Sequence, residues 1–193
     1  MEVKGDSDSS DFEPPKEEVR GIKGERGKIP HFKTIELAEL GHLVEDSAEQ
    51  GQYLFISDMS GQAATFFKYS GPLVSQFHGE CKKVIVEKSQ TKKEAAAALR
   101  KDLLHTMRHG RTCVINLDTM ICPLKSEYQY PHVLPLEKLI FDRPRLLSRF
   151  KFLIKKEEDF NMLEEKGKFE IRDKFNIIIL KNSRNKDCDD HFV

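Results

Sequence analysis

An excess of charge of either sign is missing from this chain: 32 lysines and arginines balance 32 aspartates and glutamates over 193 residues. A neutral chain has no overall field to draw it to a polyanion, so nucleic acid is not indicated as a partner. Long apolar runs are also absent. No stretch nears the roughly 20 residues that cross a bilayer, and the N-terminus lacks the basic-then-apolar pattern of a secretory signal. The expectation is a cytoplasmic protein without a membrane partner. The four cysteines, Cys81, Cys113, Cys122 and Cys188, form no C-x-x-C pair and no zinc-type spacing with histidine. Reduced, mostly packed thiols are expected, with Cys188 the most exposed.

What the chain does contain is one domain's worth of apolar patterning behind a polar leader. A length of 193 residues leaves room for one domain of about 150 residues and a tail. Residues 1–30 are rich in Ser, Asp, Glu, Lys and Gly, with Pro14-Pro15 and glycines at 21, 24 and 27. Too few apolar side chains are present there to offset the entropy of ordering, which predicts a disordered leader. Its mixed charges, Lys16-Glu17-Glu18 and Lys23-Gly24-Glu25-Arg26, read as a solvated linker, with a docking segment as the alternative.

Folded sequence is expected over 34–182, followed by a flexible tail at 183–193. Ile35, Leu37, Leu40, Leu43 and Val44 recur at helical spacing behind Thr34. Tyr53 to Ile56 reads as a buried strand, Asp58 to Thr65 as a loop, and Phe66-Phe67 as part of a short helix that Ser70-Gly71-Pro72 ends. The β-branched content of Lys83 to Glu87 predicts a strand. Thr91-Lys92-Lys93-Glu94 is a capping box that opens a helix through Ala96, Leu99, Leu103 and Met107 as far as Gly110. Thr112 to Asp118 is an apolar strand ending in an acid. Beyond a proline-rich connection from Ile121 to Pro135, short helices are expected at Leu136 to Phe141, ending near Pro144, and at about Leu146 to Phe152, where a strand would also suit the spacing. Lys155 to Glu165 reads as an exposed helix broken by Gly167, and Phe175 to Leu180 as the last strand. Strands alternating with helices predict an α/β fold, a parallel sheet with helices on both faces.

The chemistry, if any, lies in Asp58-Met59-Ser60-Gly61-Gln62-Ala63-Ala64-Thr65. Set on the pattern G-x-x-x-x-G-K-[ST], whose backbone N–H groups cradle phosphates while lysine and hydroxyl hold the γ-phosphate and magnesium, Thr65 falls on the hydroxyl. Gly61 falls where many such loops carry an extra glycine. The first glycine is replaced by Asp58, the second by Ala63 and the lysine by Ala64. Bland readings stand beside this one: Gly61 as a turn glycine, Thr65 as a helix-start hydroxyl, Asp118 as a turn cap, and Asn182 as a turn residue.

In the order of these segments the chain resembles a degenerate P-loop NTPase domain of the AAA and dynein type. Thr112 to Asp118 resembles a Walker B strand, whose acid holds magnesium, and Asn182 after Phe175 to Leu180 resembles a sensor-1 residue. The resemblance implies a relic nucleotide site at Gly61, Thr65, Asp118 and Asn182. Where AAA-type ATPases carry a glutamate after the acid, this chain has Thr119, and the arginine finger and helical lid are missing. The chain also resembles the degenerate P-loop module at the C-terminus of IQ-motif and ankyrin-repeat proteins, which implies a cytoskeletal or ciliary interaction role; no IQ motif and no ankyrin repeat occurs here.

Physical argument weighs against catalysis. Asp58 sets an anion where phosphate would arrive; like charges at about 4 Å cost roughly 1 kcal/mol in water and about 4 kcal/mol near a protein surface. The expected function is a non-catalytic, P-loop-like protein-interaction module with no cofactor and no metal. The alternative is a nucleotide-binding protein or weak ATPase or GTPase, in which Thr65 and Asp118 hold Mg-ATP or Mg-GTP and Lys68 or another lysine replaces the lost one. A flavodoxin-like domain is a third reading. His105 and His109 stand four apart on a helix, yet a solvated C-terminal helix end, favoured by the helix dipole, accounts for them better than metal. A sheet ending after the sensor-like strand would leave the edge of the phosphate-loop strand unpaired, for a partner or a tail to cover. Strand order decides between these ancestries: in the AAA-like arrangement Phe175 to Leu180 lies between the strands at Tyr53 and Thr112.

Overall fold

Two strands in this chain are apolar on both faces, and that sets the architecture: Tyr53 to Ser57 and Asn176 to Lys181 are buried at every position. Strands of this kind belong in the middle of a sheet covered twice. The structure, a computed structural model, describes residues 17–22, 31–120 and 124–182. In chain order the elements are β1 (Glu17–Ile22), β2 (His31–Ile35), α1 (Leu40–Glu49), β3 (Tyr53–Ser57), α2 (Gln62–Tyr69), β4 (Leu73–Ser75), α3 (Phe77–Lys82), α4 (Lys92–His109), β5 (Thr112–Asp118), α5 (Leu124–Glu127), α6 (Arg143–Arg149) and β6 (Asn176–Lys181).

The sheet runs β2-β1-β3-β6-β5-β4. Neighbours from β3 to β4 pair in parallel, while β1 pairs antiparallel to both β2 and β3. Alternation along the strands sorts their side chains into two cores. Leu54, Ile56, Val114, Ile178 and Leu180 meet Leu40 of α1 and Ala63 and Phe67 of α2. Phe55, Cys113, Ile115, Ile177 and Ile179 meet α4 through Leu99, Leu103 and Met107, together with Leu136, Leu146 and Leu153 of the long excursion. Helices therefore cover both faces of a four-stranded parallel sheet.

Helix α4 forms as its sequence dictates. Glu94 N–H donates to Thr91 Oγ1 at 3.3 Å and Thr91 N–H to Glu94 Oε2 at 2.8 Å. Gly110 ends it at φ 61°, and a Cβ there would lie 2.9 Å from the Arg172 side chain, so both conformation and space require glycine. The same helix ties down the excursion. Arg100 donates to Leu153 O and makes a two-pronged ion pair with Glu158. Arg108 lies over the Phe160 ring, 3.8 Å from its centroid, and donates to Glu158 O.

Several expectations are corrected. Lys83 to Glu87 is a π-helical turn continuing α3. Phe77, Cys81 and Val84, spaced i, i+4 and i+7, face the core together, and the slot beside β5 belongs to the shorter β4. Thr34 ends up in β2, so α1 starts only at Leu40 after a 3-10 turn. Pro144 opens α6, whose first turn tolerates a residue without N–H, and Asp142 caps it. Within Lys155 to Glu165 only Lys156–Glu158 is helical; the Asn161 side chain accepts from the N–H groups of Leu163 and Glu165, holding a turn instead. Within the leader, residues 17–22 form β1, which covers the β3 edge that a partner or a tail was expected to cover. The leader's other residues, 1–16 and 23–30, lie outside the described residues, as does the tail at 183–193. Cys81 and Cys113 are buried free thiols, and burial raises Cys113 to about 12. Cys122 and Cys188 fall outside the described residues.

Candidate functional site

At the carboxyl end of β3 the chain turns into α2 in only four residues, Asp58 to Gly61, because the helix starts at Gln62. On the phosphate-loop pattern that start is two positions earlier than the lysine position, Ala64, so the span available to wrap a phosphate is shortened. Gly61 supplies the turn with φ 74° and has open space around it, so its conformation alone requires glycine.

Three N–H groups at this helix start, those of Ser60, Gln62 and Ala63, are already engaged. Asp58, only 2 % exposed, accepts at Oδ1 from Ser60 N–H at 2.7 Å and Ser60 Oγ at 2.6 Å, and at Oδ2 from Ala63 N–H at 2.7 Å. Ser60 Oγ in turn accepts from Gln62 N–H at 3.2 Å. These are the donors that a helix start leaves orphaned and an anion could use. Asp58 is thus an internal anion seated in its own helix terminus. Replacing it with alanine should strand buried donors and lower stability by about 1–2 kcal/mol, read from urea denaturation midpoints; Asp58→Asn, which keeps one acceptor oxygen, should fall between.

The remaining sequence-predicted residues lie at the same end of the sheet. Thr65, exposed in α2, directs its hydroxyl to Gly61 O at 3.3 Å. Asp118 ends β5 at φ 50°, beside a register shift in the β5–β6 ladder, and its N–H donates to Asn116 Oδ1 at 2.9 Å. Asn182 N–H donates to Asp118 O at 2.8 Å, and Asp58 N–H to Lys181 O at 2.9 Å. The ends of β3, β6 and β5 are therefore contiguous, with Lys181 and Asn182 between Asp58 and Asp118. Thr119 is exposed. No group of three or more His, Cys, Asp or Glu placed to hold a metal ion occurs among the described residues.

Two participants escaped sequence reasoning. Asp58 registers there as a lost glycine and an anion opposed to phosphate, not as a cap for its own helix, although Asp-x-Ser after a strand is the signature of a side chain folding back on the following backbone. Lys181, buried at 3 % exposure and in register with Asp118, was hidden because it follows the apolar run of β6. Lys68, by contrast, is on the wrong end of α2, with its ammonium near the Tyr69 ring. His105 and His109 stack at the exposed end of α4, where His109 Nδ1 meets His105 O.

Comparison of the chain with protein-family models, with curated proteins and with solved structures finds no match. Among the described residues, no helix is long and apolar enough to cross a membrane.

Proposed function

We propose that this chain is a non-catalytic protein-interaction module built on a P-loop-like scaffold. The observation that carries the proposal is Asp58: its carboxylate takes up Ser60 N–H and Ala63 N–H, so an arriving phosphate would meet an anion and find these donors spent. Strand order supports the ancestry, since β6 lies between β3 and β5, the arrangement that the AAA-like reading requires. With β1 on the outer edge of β3, a partner would meet the loop and helix surface rather than add a strand there. The cytoskeletal or ciliary setting rests on the resemblance alone.

The alternative, a nucleotide binder, has one observation in its favour: Lys181 stands at the end of β6 between Asp58 and Asp118, supplying a cation that the loop lacks. Thermal melting separates the two. Millimolar Mg-ATP or Mg-GTP should leave the melting temperature unchanged. Ligand at 100 times its Kd would add about 2.7 kcal/mol, or roughly 5–10 °C for a domain of this size. A rise of that size would overturn the proposal.

A further inference from the structure

The neutral charge of the chain conceals two segments of opposite sign. Between Lys138 and Lys156 seven cations stand against one carboxylate, Asp142, while Asp6, Asp8, Asp11 and Glu13 fall within eight residues that contain no cation. The basic segment is not a featureless surface. Pro135, Leu139 and Pro144 floor an open groove of about 640 Å³, with Lys138, Arg145 and Arg149 along it and Phe152 at its end. The Phe152 ring is 81 % exposed and Leu147 nearby is 47 % exposed, so apolar and cationic groups stand side by side.

Among the described residues, the groove's own acid pairs with Arg145 alone. Asp142 accepts from Arg145 N–H at 3.1 Å as the cap of α6, and its other oxygen lies 3.5 Å from Arg145 Nε. Lys138 and Arg149 form no ion pair among the described residues. A fitting ligand is therefore an acidic peptide with an aromatic anchor, and this chain carries one: Asp6-Ser7-Asp8-Ser9-Ser10-Asp11-Phe12-Glu13.

We propose that the chain's own acidic segment, residues 6–13, docks in the groove between Pro135 and Phe152, with its carboxylates on Lys138, Arg145 and Arg149 and Phe12 against Phe152. This inference stands apart from the reading of the Asp58 loop. The tether is residues 14–16, which precede β1, so Phe12, five positions before Glu17, can reach a groove within about 16–18 Å of the start of that strand. Tethering favours this occupant over a free acidic peptide of equal chemistry, because a short linker holds the segment at about millimolar effective concentration. The attraction is charge-assisted, so salt should loosen it.

Carbodiimide coupling of the full chain tests the contact, since it joins a carboxylate to an amine only where the two touch. The expected product joins the peptide carrying residues 6–13 to Lys138, found by mass spectrometry after trypsin digestion. In an equal mixture of natural-abundance and 15N-labelled chains the product should contain no mixed pairs. Its yield should fall about tenfold in Arg145→Glu/Arg149→Glu, which leaves Lys138 in place, and about tenfold in Phe12→Ala. Phe12→Ala changes none of the described residues, so that variant decides the matter even if the double variant loses its fold. Mixed-isotope products would assign the groove to a second copy and overturn the proposal. Coupling to exposed Lys68 and Lys166 as frequent as to Lys138, or yields unaffected by Phe12→Ala, would overturn it as well.

Discussion

Arg100→Ala is expected to cost the fold about 3–5 kcal/mol, because it removes one side of a largely buried ion pair and leaves the other side behind. The Arg100 side chain is 5 % exposed and that of Glu158 is 21 % exposed. Arg100 Nη1 donates to Glu158 Oε1 at 3.0 Å, and Nε to Leu153 O at 2.9 Å. Alanine thus takes the charged partner from a carboxylate and the donors from a carbonyl together, leaving Arg108 as the polar tie between α4 and residues 158–160. Thermal melting should show a loss of about 6–20 °C, taking 2–4 °C per kcal/mol for a domain of this size. An equal melting temperature in the variant would mean that the excursion is held by its apolar contacts alone.

The same pair gives a pH dependence of definite sign. Burial alone would raise the Glu158 carboxyl, but hydrogen bonds from Arg100 and the Lys155 N–H, with the charges of both residues, outweigh it and hold the group below the usual carboxylate range. A carboxyl lowered by folding contributes its full stability above its unfolded pKa, about 4.3, and loses it as pH falls through the folded value. The acid limb of the stability profile should therefore be shallower in Arg100→Ala than in the parent chain. Denaturant midpoints measured between pH 3 and pH 7 would show this.

Phe67→Ala should be comparably severe, at about 3–5 kcal/mol, since it opens a cavity on the α1–α2 face. Phe67 is fully buried, its ring edge-on to Phe66 at 5.3 Å, among Leu40, Ile56, Val114 and Ile178. Thr65→Ala two residues earlier should stay within about 0.5 kcal/mol, since its exposed hydroxyl only bonds back to Gly61 O. A magnesium site would invert that ranking for nucleotide-dependent stability. Calorimetry of both variants with and without Mg-ATP therefore asks whether α2 serves packing or chemistry.

Much of this architecture was legible in the residues because local and global signals agreed. The Thr91–Glu94 box, the alanine run after it and Gly110 all specify α4, and the uninterrupted apolar runs at Tyr53, Thr112 and Phe175 specify strands that need cover on both sides. The misreading at Lys83–Glu87 has a physical cause: three β-branched residues outweighed a helical i, i+4, i+7 pattern that begins six residues earlier at Phe77. Three-residue β4 was invisible because so short a strand is defined only by its ladder with β5. At the site, residue identity disclosed which phosphate-loop groups were lost. It did not disclose that Asp58 fills the resulting gap, which depends on a helix start two positions earlier than the pattern implies.

The position of β6 has a consequence for how the chain acquires its structure. β3 and β5 do not pair with each other; each pairs with β6, whose first residue comes 58 positions after the end of β5. While the protein is being made, the two halves of its sheet must wait with unpaired inner edges until residues 176–181 arrive between them. Such contacts close late and slowly, and the open edges meanwhile invite pairing with other chains. Of the described strands, the one synthesised last is the one that makes a single sheet out of the rest.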